Sequence, residues 1–97
     1  MFLVVSRWEA LPGRAEEFER VSPDVRAVLR QQPGVVLVES FRSEGHYVVV
    51  HGYQDEAAYH AVVDDANGPF RQALAKHKLE EMGHWISSER GETFPHD

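Results

Sequence analysis

The sequence predicts one α+β domain with a four-stranded antiparallel sheet and its helices on one face, in the order β-α-β-β-α-β. Three observations carry this reading. Residues 35–42 (VVLVESFR) and 46–53 (HYVVVHGY) are β-rich runs joined by Ser43-Glu44-Gly45, the spacing of a hairpin. The segments 14–31 and 56–66 change to helical spacing. Strand-like runs open the chain at 2–9 and close it at about 80–90. At 97 residues with no linker-like stretch, the chain is a single domain spanning 1–97.

The first strand, residues 2–9 (FLVVSRWE), ends at the turn Leu11-Pro12-Gly13. Residues 14–31 then repeat Ala15, Phe18, Val21, Val25, Val28 and Leu29 at intervals of three and four. Ser22-Pro23-Asp24 interrupts them, because proline lacks the N–H of an interior residue and Ser-Pro suits a first helical turn, so a kink or restart is expected there. Pro33-Gly34 stops the helix, and the hairpin follows. Asp55 is placed to cap a helix over 56–66, with Tyr59, Val62, Val63 and Ala66 on one stripe. Asn67-Gly68-Pro69 ends that helix and starts another, which carries Phe70, Ala73, Leu74 and His77 at i, i+3, i+4 and i+7. Met82, Trp85 and Ile86 mark the last strand, and Gly91–Asp97 reads as a loose tail. The element order is the ferredoxin-like, split βαβ arrangement.

Composition excludes several classes of function. Lys+Arg is 10 and Asp+Glu is 16, a net charge of −6, which argues against general affinity for nucleic acid. Arg26, Arg30, Arg42 and Arg71 could still cluster into a local basic patch. Cysteine is absent, so there is no disulfide, thiol nucleophile or cysteine metal knuckle. No apolar run approaches the ~20 residues of a membrane span, and the apolar start is too short for a signal sequence. A cytoplasmic protein without membrane or nucleic-acid partners is expected.

Both faces of the sheet are apolar. In strand two, Val35, Leu37 and Phe41 oppose Val36 and Val38; in strand three, Tyr47 and Val49 oppose Val48 and Val50; in strand one, Leu3 and Val5 oppose Phe2, Val4 and Trp8. Helices cover only one set. The other would be an exposed apolar patch, which a homodimer closed sheet to sheet would cover.

The residues that carry these elements also resemble a family. Gln32-Pro33-Gly34-Val35, His46-Tyr47-Val48-Val49-Val50-His51, Gln54-Asp55-Glu56-Ala57-Ala58-Tyr59-His60 and Ala66-Asn67-Gly68-Pro69-Phe70 are similar to the antibiotic biosynthesis monooxygenase domain superfamily, the dimeric α/β barrels. The resemblance implies a pocket between helices and sheet, and a small cofactor-independent monooxygenase acting on an aromatic or quinol-like compound. It also admits a non-catalytic small-molecule binder or regulator on the same scaffold. The haem-degrading branch of that superfamily uses an Asn on strand one, a Trp on the second helix and an axial His after the Asn-Gly turn. Here those positions hold Ser6 or Arg7, Val62 or Val63, and Leu74, and leucine cannot ligate iron. His77, one turn beyond Leu74, is the one displaced ligand available to a haem-degrading alternative.

Among residues able to carry chemistry, His77 stands first. Its place on the Phe70–Ala73–Leu74 stripe would aim it at the sheet as a general base, while a position at the helix end would make it a partner of the helix dipole. Tyr47, Tyr53, Tyr59 and Phe70 are the expected lining of a flat aromatic pocket, with Trp8 and Trp85 as further candidates. Arg7 would bind an anionic group if it pointed inward. His60 and Asp64 share a helix face, and His46 and His51 fall on opposite sides of a regular strand, so no convergent metal set is readable. No phosphate-binding loop, GxSxG or HExxH motif is present, and no cofactor or metal is expected.

Overall fold

A computed structural model describes residues 1–94. The elements are β1 (Phe2–Ala10), α1 (Ala15–Arg30), β2 (Val35–Ser43), β3 (His46–Tyr53), α2 (Glu56–Val63), α3 (Pro69–Lys76), the single turn α4 (Leu79–Met82) and β4 (Gly83–Glu92). The strands pair antiparallel in the order β2-β3-β1-β4, which is the ferredoxin-like sheet.

Local chemistry sets the boundaries. Gly45 turns the β2–β3 hairpin at φ +77°, and Gly34 ahead of β2 has φ +83°, where a side chain would also meet the Ala58 Cβ at 2.6 Å. The Asp55 carboxylate accepts the Ala58 N–H at 2.8 Å and caps α2. Helix α2 ends at Val63, earlier than expected, and Gly68-Pro69 opens α3 as the N-cap and first residue.

The restart expected at Ser22-Pro23-Asp24 does not occur, because α1 runs unbroken through Pro23. The Ser22 hydroxyl donates to the Phe18 carbonyl at 2.6 Å, and the buried Phe18, Val25 and Leu29 hold both halves of the helix on the sheet. The last strand begins at Gly83 rather than near residue 80. Leu79 and Met82, at i and i+3, are both buried with Phe18, Val25 and Leu74, and that burial is satisfied by one helical turn. The tail also departs from expectation. Gly91 and Glu92 pair with Leu3 and Phe2, and the Thr93 N–H donates to the Met1 carbonyl at 2.8 Å. Residues 95–97 of the expected loose tail lie outside the described residues.

Register assigns the two faces. Phe2, Val4, Ser6 and Trp8 of β1 stand beside Tyr53, His51, Val49 and Tyr47 of β3, all on the helix side. Leu3, Val5 and Arg7 stand beside Gly52, Val50 and Val48 on the open side. In β2 an irregularity between Val35 and Leu37 breaks the expected parity. Val35 therefore packs with Val38 against the core under the helices, while Val36 is half-exposed. No helix among the described residues is long and apolar enough to cross a membrane.

Candidate functional site

A cavity of about 810 Å³ lies between the helices and the sheet, within the range of small-molecule sites. Its cause is a row of small side chains. Ser40, Val49, Ser6 and Ser88 are register neighbours across β2, β3, β1 and β4, and all four line the cavity. One row away stand Val38, His51, Val4 and Arg90; on the other side stand Arg42, Tyr47, Trp8 and Trp85. The serines leave a trough between these larger rows, roofed by Phe18, Val25 and Leu29 of α1 and by Tyr59, Val63, Phe70 and Leu74 of α2 and α3.

His51 is the buried titratable group in this trough. Its side chain is almost fully covered, and its Nδ1 is 2.7 Å from the Tyr53 hydroxyl, with the rings edge-on at 5.5 Å. Burial pushes the imidazole pKa down from 6.5 to about 4, so the ring is neutral near pH 7. Burial, with a smaller contribution from Tyr59, pushes the Tyr53 hydroxyl pKa up, so it keeps its proton. Nδ1 is the partner within reach of that proton, and Tyr53 donating to Nδ1 leaves the hydrogen of a neutral imidazole on Nε2. No buried polar side-chain atom among the described residues lacks a partner, so Nε2, which bonds to no protein group, is open to the cavity.

The remaining polar groups lie around the rim. The Tyr47 hydroxyl donates to Glu19 Oε2 at 2.6 Å, a bond that raises its pKa, and Arg42 is 3.8 Å from the same oxygen. The Arg90 guanidinium stands 5.9 Å over the Tyr59 ring.

The expected site residues divide. Tyr47, Tyr59 and Phe70 line the cavity, as do Trp8 and Trp85. Tyr53 is fully buried beside His51 and reaches the cavity only through it. Arg7 belongs to the open face, beside Val48 and Ser87, and does not line the cavity. His77 is the C-cap of α3, its N–H donating to the Ala73 carbonyl, and it too is outside the lining. His51 and Arg90 were missed. The signal for His51 was the odd spacing from His46, which sends one of the two inward, and Tyr47, His51 and Tyr53 share one parity. His60 stands exposed between Glu56 at 3.1 Å and Asp64 at 2.7 Å, bonds that raise its pKa. Among the described residues no group of three or more His, Asp or Glu is arranged to hold a metal ion.

Residues 1–78 match the family described as antibiotic biosynthesis monooxygenase. The chain belongs to that family. No curated protein matches its sequence. Among solved structures, it is similar to SnoaB, a cofactor-independent oxygenase from Streptomyces nogalater, with a TM-score of 0.79 at 21% identity over 98% of this chain and 94% of that one. A family protein from Deinococcus radiodurans superposes with a TM-score of 0.79 at 16% identity, covering 100% and 96% of the two chains. One from Caulobacter crescentus gives 0.72 at 26% identity, covering 97% and 90%. The antibiotic biosynthesis monooxygenase fold therefore extends over the whole described chain, β4 included, beyond the segment matched by sequence.

Proposed function

We propose that this protein is a cofactor-independent monooxygenase of an aromatic or quinol-like small molecule, bound in the trough under α1–α3. The observation that carries the reading is His51: a buried neutral imidazole, oriented by Tyr53, with Nε2 open to an aromatic-lined cavity. Dioxygen accepts an electron readily from a phenolate or enolate and poorly from the neutral parent. A site for this chemistry must therefore favour the oxyanion. The Nε2–H of His51, on a side chain that is almost fully covered, donates a hydrogen bond to that oxygen. Arg90 adds positive potential on the same side of the sheet, next to Val4 and over Tyr59. The substrate loses four electrons and two hydrogens: its acidic proton passes to solvent as the oxyanion forms and is returned when one oxygen atom leaves as water, while the other oxygen enters the product as a carbonyl. Tyr53 does not touch the substrate and acts as a positioning residue for His51.

Oxygen uptake with anthrones, naphthoquinols and simple quinols tests this. His51→Ala should lower the rate by about 10²–10³-fold, with His60→Ala as the surface control. Equal rates for wild type and His51→Ala overturn the assignment. A loss confined to His77→Ala moves the role to the end of α3. Binding of the panel without turnover makes the chain a small-molecule binder.

We also propose that the open face of the sheet closes a homodimer. It carries Leu3, Val5, Leu37, Val48 and Val50, and Phe41 at its edge is 54% exposed. Light scattering at micromolar concentration should give about twice the 11.1 kDa chain mass, and Phe41→Arg should shift it toward the monomer. A wild-type chain that stays folded and monomeric on dilution overturns the proposal.

A further inference from the structure

Three of the four arginines named above as a possible basic patch border the cavity, Arg26 half-buried and the other two exposed at its edge. Arg26, Arg42 and Arg71 line the cavity, joined by Arg90 from β4. Among the lining residues only Glu19 and Glu80 oppose these four, in a chain whose net charge is −6. The cavity thus has the opposite sign to the molecule around it, and a concave site with apolar walls concentrates that field.

Three of the four guanidiniums are engaged. Arg42 pairs with Glu19 at 3.8 Å, the Arg71 Nε–H donates to the Val63 carbonyl at 2.8 Å, and Arg90 covers the Tyr59 ring. Arg26 makes neither a hydrogen bond nor an ion pair with any described residue. It is half-buried on α1, one turn after Ser22 and two after Glu19, which line the same wall. Its neighbours intensify the deficit. Arg30, one turn further on, is turned to the Val38 carbonyl at 2.8 Å and repels it, while Glu39 attracts it without touching it. Burial and Arg30 together lower its pKa, which is the direction of a cation short of counter-charge. No protein acceptor meets the donors of its guanidinium, so they are free to bind a ligand that enters the cavity.

We infer that the molecule this cavity holds is an aromatic carboxylic acid, and that Arg26 binds its carboxylate. The planar guanidinium fork matches a carboxylate with two parallel hydrogen bonds. Arg26 comes from α1 and His51 from β3, so the acid group is anchored on one wall while the ring system lies in the trough toward His51. The inference rests on the reading that an aromatic molecule occupies the cavity, and is independent of whether oxygen is consumed there.

The test compares 9-anthracenecarboxylate with its neutral analogue 9-anthracenemethanol, titrated into the full chain and followed by ligand fluorescence. Wild type should prefer the acid by about tenfold or more at low salt, and the preference should shrink as salt rises. Arg26→Gln should abolish the preference and leave the alcohol unchanged. Arg26→Lys should keep part of it, and Arg20→Gln, an exposed change of equal charge on the same helix, should keep all of it. Equal binding of acid and alcohol by wild type overturns the inference while leaving an aromatic site in place. A preference that survives Arg26→Gln overturns the assignment to Arg26. Failure of both probes to bind overturns it together with the aromatic site, whereas absence of oxygen uptake with the acid preference intact overturns only the oxygenase reading.

Discussion

Tyr53→Ala is expected to cost the domain about 3–5 kcal/mol and to lower its melting temperature by tens of degrees, at roughly 4–8 °C per kcal/mol for a domain of this size. Tyr53 is fully buried at the end of β3, beside Phe2 on one side and Val35 on the other. Its ring meets Tyr59 edge-on at 5.3 Å, and its hydroxyl is the hydrogen-bond partner of His51. Truncation therefore opens a cavity in the core shared by β1, β3 and α2, and strands the buried Nδ1. Tyr53→Phe separates the two losses. It keeps the ring and removes only the oxygen, so it should cost about 1–3 kcal/mol and lower oxygen uptake, because the imidazole loses the group that sets its tautomer. Thermal and urea unfolding followed by circular dichroism measure both variants. A Tyr53→Ala chain within about 1 kcal/mol of wild type would show that the ring is not part of the core.

Fold and site were legible in the sequence to different depths. Element order was legible because local chemistry punctuates it: Pro33-Gly34 before β2, Ser43-Glu44-Gly45 between β2 and β3, Asp55 at the start of α2 and Gly68-Pro69 at the start of α3. These signals act within a few residues and need no knowledge of partners. Features set by tertiary packing were not legible. The turn Leu79–Met82 has apolar residues that suit either a strand or one helical turn, and only the proximity of Phe18 and Val25 decides between them. Val35 changes faces because β2 is irregular after it, which no parity rule anticipates.

At the candidate site, too, local periodicity and tertiary placement part company. The stripe Phe70, Ala73, Leu74 is real, but α3 stops at Lys76, and the periodicity was carried one residue past the helix it described. His51 needed the cross-sheet register, since only that places it beside the serine row and ahead of Tyr53. The serines themselves read as polar breaks within strands; their register turns them into the space that makes a cavity. Arg26, Arg42 and Arg71 were visible as a possible cluster, but the sequence carried no sign that all three border one cavity.

Stability should fall as the pH drops below about 6.5, and His51 should account for much of the fall. Its pKa is about 4 in the folded chain and 6.5 when exposed, with burial as the cause. Above the unfolded value both states hold a neutral ring and the group has no effect. Between the two values the unfolded chain takes up a proton that the folded chain refuses, so acid favours unfolding. The full difference is about 3 kcal/mol, complete only below the folded pKa. By pH 5, before most carboxylates titrate, about 2 kcal/mol of it should already be lost relative to pH 7.5. His60 works in the opposite sense, since its raised pKa favours the folded chain in acid, but it lies on the surface between Glu56 and Asp64. The comparison with His51→Gln cancels that effect, because His60 is present in both proteins. Urea unfolding at pH 7.5 and 5.0, at one protein concentration, should show a steep loss for wild type and a much smaller one for His51→Gln. Parallel losses in the two proteins would mean that His51 titrates normally in the folded chain. The ring would then be an imidazolium at mildly acidic pH, whose Nε2–H still donates but whose Nδ1 can no longer accept from Tyr53, so the Tyr53-oriented neutral imidazole of the proposal would be lost.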